Sequence, residues 1–158
     1  MPVRFLRNAS DLADVSWETP LPVQVANAKP VPADTLLAAT TTVTNDANRD
    51  LLGSTATELP TLDGCGQYRK LVWFYFRASD AATTYRVLAR ATDHNGAPLG
   101  TGWQEIVPAT TLPGAANSWG RIEIPASGDG YYDQYRIEVQ RTGGSSNYSL
   151  TSKIVGVR

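Results

Sequence analysis

Alternation of apolar and polar residues at a period of two constrains this chain of 158 residues more than any other feature. Between Trp119 and Ile124, Ile122 and Ile124 alternate with Arg121 and Glu123. Between Tyr131 and Arg141, Tyr135, Ile137 and Val139 alternate with Arg136, Glu138 and Gln140. From Thr83 to Thr92, Tyr85, Val87, Ala89 and Ala91 are opposed to Arg86 and Arg90. Successive side chains of a strand point to opposite faces, so each segment predicts a strand with one dry and one wet face. The same rule puts Glu123 and Glu138 on a solvated outer face, paired with Arg121 and Arg136 across strands.

Other segments complete a strand set. Tyr68 to Ala78 is the strongest, and Leu71-Val72-Trp73-Phe74-Tyr75-Phe76 is apolar at every position. That pattern predicts a central strand covered on both sides. Asn95-Gly96 is a favoured tight turn, which makes Trp103 to Val107 a hairpin partner for the Thr83–Thr92 strand. Tyr148 to Val157 forms a final strand, and Leu36–Thr44 and Thr55–Leu62 are weaker candidates. Roughly eight strands at about 8–14-residue spacing predict an all-β fold, an antiparallel β-sandwich of jelly-roll or Greek-key type over residues 35–158.

Residues 1–34 have a different character. Five of the ten prolines lie there: Pro2, Pro20, Pro22, Pro30 and Pro32. Proline fixes φ and drives its predecessor toward extended conformations. The segment carries Phe5, Leu6, Trp17, Leu21, Val23 and Val25 and no glycine. It reads as an extended N-terminal arm whose apolar side chains are buried on a partner chain. Within it, Ser10 to Val15 suits a single helical turn capped by Ser10.

Charge and chemistry narrow the function. The formal net charge is −1 and no run of like charges occurs, which disfavours nucleic acid as a partner. No apolar run reaches the length of a transmembrane helix, so no membrane partner is expected. Eleven of the 14 basic residues are arginine, a residue suited to planar, partly buried pairing and to protein contacts. His94, the only histidine, falls in the Asn-Gly turn, and Cys65 is the only cysteine. That supply predicts no catalytic constellation, no metal and no cofactor. Trp103, Trp119, Tyr131 and Tyr132 lie near strand ends or loops. They carry an alternative reading, a sugar-binding surface of a carbohydrate-binding module on a tail fibre or secreted enzyme.

Two stretches carry a resemblance: Pro20-Leu21-Pro22-Val23-Gln24-Val25, and Gly66-Gln67-Tyr68-Arg69-Lys70-Leu71-Val72 leading into the aromatic strand. An extended lead-in followed by a small β-sandwich resembles virion structural proteins of tailed bacteriophages, both head-decoration (cement) and tail-associated. The resemblance implies a non-enzymatic protein that binds a major capsid protein or another virion protein and pairs with itself as a dimer or trimer. It implies a place on the capsid surface, after assembly in the host cytoplasm.

Overall fold

The computed structural model describes residues 3–8, 11–15, 33–100, 102–124 and 132–158. Its strands are β1 (Val3–Asn8), β2 (Asp11–Val15), β3 (Ala33–Val43), β4 (Arg49–Asp50), β5 (Lys70–Arg77), β6 (Thr83–Arg90), β7 (Gln104–Thr111), β8 (Ser118–Ile124), β9 (Gln134–Arg141) and β10 (Tyr148–Val157). β1 and β2 pair with each other, Val3 opposite Val15. The other eight strands form two antiparallel four-stranded sheets, ordered β3-β10-β5-β8 (sheet I) and β4-β9-β6-β7 (sheet II).

The expected β-sandwich is therefore the fold. Counted from β3, sheet I holds the first, eighth, third and sixth strands, and sheet II the second, seventh, fourth and fifth. That order is the eight-stranded jelly roll of two Greek keys. Every consecutive pair of these strands crosses between sheets except β6 and β7. This one hairpin is the pair predicted from Asn95-Gly96. Gly96 takes φ +80° there, and the Asp93 carboxylate accepts from the Asn95 and Ala97 amides.

The two inner faces interdigitate. Leu71, Trp73 and Tyr75 of β5 and Leu150 and Ile154 of β10 meet Val87 and Ala89 of β6 and Tyr135, Ile137 and Val139 of β9, all buried. Trp73 lies with its ring 5.0 Å from Tyr75 and 5.7 Å from Tyr85. The Tyr75 hydroxyl donates to the Pro113 carbonyl at 2.9 Å, and its ring crosses β8 over Gly120, where a Cβ would overlap it. Glycine is required at that position by close approach, since no side chain fits beneath the ring.

Four expectations are corrected. The helical turn at Ser10 to Val15 does not form, because Asp11–Val15 is β2, paired with β1. The Thr55–Leu62 segment is not a strand. Within it only Leu62 bridges Tyr135, while the second strand of the sandwich is the two-residue β4. Strand β5 is internal to sheet I, but its outer face is covered only in part: Val72 is buried, Phe76 is half-buried and Phe74 is 37% exposed. Finally, Glu138 and Arg136 do sit on the outer side of sheet II, yet they are buried, at 2% and 0% exposed. Alternation identifies the side of the sheet on which a residue stands, and a loop has covered this side.

Elsewhere in the sandwich, buried arginines tie connections together. Arg77 donates to the carbonyls of Leu112, Gly114 and Ala81, tying the β7–β8 connection to the β5–β6 connection. Arg141 donates to Gly143 and Gly144. Five donors in a planar fork let one side chain satisfy several loop carbonyls that water no longer reaches.

Candidate functional site

Residues 51–60 cover the β9 part of the outer face of sheet II, while β7 stays largely exposed. Both ends of this segment hydrogen-bond to β9: the Leu51 amide donates to the Ile137 carbonyl, and the Thr61 and Leu62 amides donate to Tyr135. Between these ends the chain arches outward as an Ω-like loop. The Arg136 guanidinium fills the arch. It donates to the Leu59 carbonyl at 2.7 Å and the Ser54 carbonyl at 3.3 Å. Its Nε donates to Glu138 Oε1 at 2.6 Å, and the other Glu138 oxygen accepts from Arg86 Nε at 2.6 Å. Asp50 faces Arg136 at 3.9 Å, an ion contact too long for a hydrogen bond, so its Oδ2 has no donor among the described residues. The Asp50 Oδ1 accepts from the Leu52 and Ser54 amides.

A second set of contacts pins the arch from above. Arg90 donates to the Glu58 carbonyl and to Gln134, and its guanidinium lies 4.1 Å over the Trp103 ring. The Trp103 indole donates to the Thr57 carbonyl at 2.8 Å. Tyr132 donates to Gln104 at 2.9 Å. Trp103 thus belongs to the covered side, whereas Tyr132 packs against the core residue Tyr135, and the polar atoms of both are engaged within the chain.

Trp119 is separated from both. It stands on the outer face of sheet I and is 68% exposed, the most exposed large apolar residue among those described. Its ring packs against Phe76, centroids 5.4 Å apart. Pairing across the sheet fixes its neighbours. Trp119, Phe76, Thr151 and Thr40 stand in one row, and Arg121, Phe74, Lys153 and Ala38 in the next. Beyond these, Glu123 is paired with both Lys70 and Arg121. The Thr40 and Thr151 hydroxyls are hydrogen-bonded at 3.1 Å.

Of the predicted sugar-facing aromatics, then, Trp103 lies over sheet II, Tyr132 packs against the core beside Tyr135, Trp119 stands on the outer face of sheet I, and Tyr131 is outside the described residues. Of the arm residues, Phe5 and Leu6 are on β1, opposite Ala13 and Leu12. Trp17, Leu21, Val23 and Val25 lie outside the described residues. Phe74 and Phe76 were not anticipated as surface partners of Trp119. The signal was present in the parity of β5, since its even-numbered residues must face away from Trp73.

The polar candidates are placed as follows. His94 is exposed in its turn. Cys65 is buried; burial first, and then the charges of Asp63 and Asp133, push its thiol up to about 12. A thiol so placed stays protonated near neutral pH, and it is the thiolate that acts as a nucleophile. At the far end of sheet I the Asp34 carboxylate accepts from the Tyr68 hydroxyl and from Arg158, both at 2.8 Å. These two hydrogen bonds, Tyr68 first, hold its carboxyl below the usual range.

Fold and faces together define a jelly-roll sandwich covered over β9 of sheet II and carrying an exposed aromatic row on sheet I. No family model matches the chain, and no curated protein or solved structure matches it either.

Proposed function

We propose that the protein is a non-enzymatic structural component of a tailed-bacteriophage virion, a decoration or cement protein that holds to the head lattice through its N-terminal arm and its sandwich. The observation that carries this reading is β3. It is 11 residues long and an edge strand of sheet I, and among the described residues its outer edge pairs with nothing. Asp34 and a β-bulge lie near its start, but from Leu37 to Val43 it carries no proline, no charge and no bulge, the features that commonly guard such edges. An unguarded edge of this kind accepts a further strand, which is how extended segments join neighbouring subunits. The segment leading into β3 is the proline-rich arm itself. A strand added from the major capsid protein, or from a second copy, would link subunits without any chemical step.

Deletion of residues 1–32 tests the arm. Binding of full-length and shortened protein to expanded heads is compared by co-sedimentation, with circular dichroism confirming the fold of the shortened chain. We expect a loss of at least about tenfold in affinity, equivalent to about 1.4 kcal/mol. Undiminished binding by a folded shortened chain overturns the arm's role.

A second reading, a carbohydrate-binding module of a tail fibre or secreted enzyme, is favoured by one observation, the exposure of Trp119 beside Phe76.

A further inference from the structure

From the composition and size of the outer face of sheet I, we infer that it binds a carboxylate-bearing oligosaccharide, with Trp119 as the stacking platform. The inference deepens the second reading above and rests on it.

Size comes first. Four strands about 4.8 Å apart, over the seven residues of β8 at about 3.3 Å each, give the shared part of the face a flat extent of about 400 Å². That extent accommodates a ligand of a few sugar rings.

Charge comes second. Lys70, Arg121 and Lys153 stand on this face against the single carboxylate of Glu123, an excess of two positive charges. The whole chain carries −1, so the face runs against the trend of the molecule. A second copy of the same face would be repelled, whereas an anionic ligand is attracted.

Chemistry comes third. The C–H face of a pyranose ring packs on the negative face of an indole, and the exposed Trp119 ring is already held on one side by Phe76. Arg121 is two residues along β8 on the same face, about 7 Å away, the distance of a substituent on a stacked or adjacent ring. Its guanidinium fork, which meets Glu123 in the free protein, can exchange that half-exposed contact for a ligand carboxylate held in two parallel hydrogen bonds. Thr40 and Thr151 continue the row with hydroxyls that can exchange their mutual hydrogen bond for sugar hydroxyls. Lys153 stands in the row beside them, across from Phe74.

The test is a calorimetric titration of the full chain with oligogalacturonate, sialyllactose and neutral gluco-oligosaccharides of matched length. At least one acidic sugar is expected to bind, more tightly than its neutral counterpart, and more weakly as salt shortens the reach of the charges. Trp119→Ala is expected to weaken binding at least about tenfold with an unchanged melting temperature, because the side chain is exposed. Arg121→Gln is expected to abolish the preference for acidic over neutral sugars. Absence of binding to every acidic sugar overturns the inference, as does a preference for neutral ones. Full-strength binding by Trp119→Ala overturns this placement while leaving a sugar-binding module elsewhere on the chain. Head binding without sugar binding overturns the inference and leaves the decoration reading standing.

Discussion

Arg136→Met is expected to destabilise the protein by about 3–5 kcal/mol, read from the midpoint of urea unfolding. The substitution keeps most of the side-chain volume and removes the charge. Glu138 and Asp50 remain buried, at 2% and 1% exposed, without the guanidinium between them. The Leu59 and Ser54 carbonyls also lose their donor. Arg86 still holds one Glu138 oxygen, which keeps the loss from being larger. The effect should be local as well as global: amide exchange in residues 51–60 should rise more than in β5 or β10. Adding Glu138→Leu should recover only the part of the loss that stems from Glu138, because Asp50 stays buried without the guanidinium. Arg86 is half-exposed and has Glu105 at 3.9 Å, so it is not stranded by that change. A single substitution that costs less than about 1 kcal/mol would mean that water reaches the arch.

The second large effect is at Trp73, and it depends on the replacement. Trp73→Ala removes the largest fully buried side chain between Tyr75 and Tyr85 and should cost about 3–5 kcal/mol in transfer and cavity terms. Trp73→Phe should cost less than about 1.5 kcal/mol. The reason is the indole N–H, which is buried and has no acceptor among the described residues. Phenylalanine deletes that orphaned donor, and the gain offsets part of the smaller ring's void. A cost for Phe close to that for Ala would show that the N–H has a partner, such as a buried water.

These two sites show what sequence could and could not convey. Strand β10 was legible to the residue, Tyr148–Val157, because one face packs on the core and the other stays polar. β6, β8 and β9 were legible from the same alternation, and β5 from its unbroken apolar run. Strand β4 was not, since two residues cannot display a period. The 51–60 arch was invisible because its cohesion comes from Arg136, Arg90 and Trp103, which are distant in sequence. Period-two alternation places Arg136 and Glu138 on the outer side of β9. It carries no information about whether a loop lies over that side. At Phe74 and Phe76 the opposite inference failed: apolar residues on both faces of a strand suggest two covers, and here Phe76 packs laterally against Trp119 while Phe74 is exposed.

Residues 51–60 cover β9 of sheet II, and sheet I presents an exposed aromatic row. Hydroxyl-radical footprinting of the full-length protein, with oxidation read residue by residue in mass spectrometry, tests this contrast. We expect heavy oxidation of Trp119, intermediate oxidation of Phe74 and Phe76, and protection of Trp73 and Tyr135. Protection of Trp119 to the level of Trp73 in the full-length monomer would contradict it, because the face would then be covered by the protein's own chain.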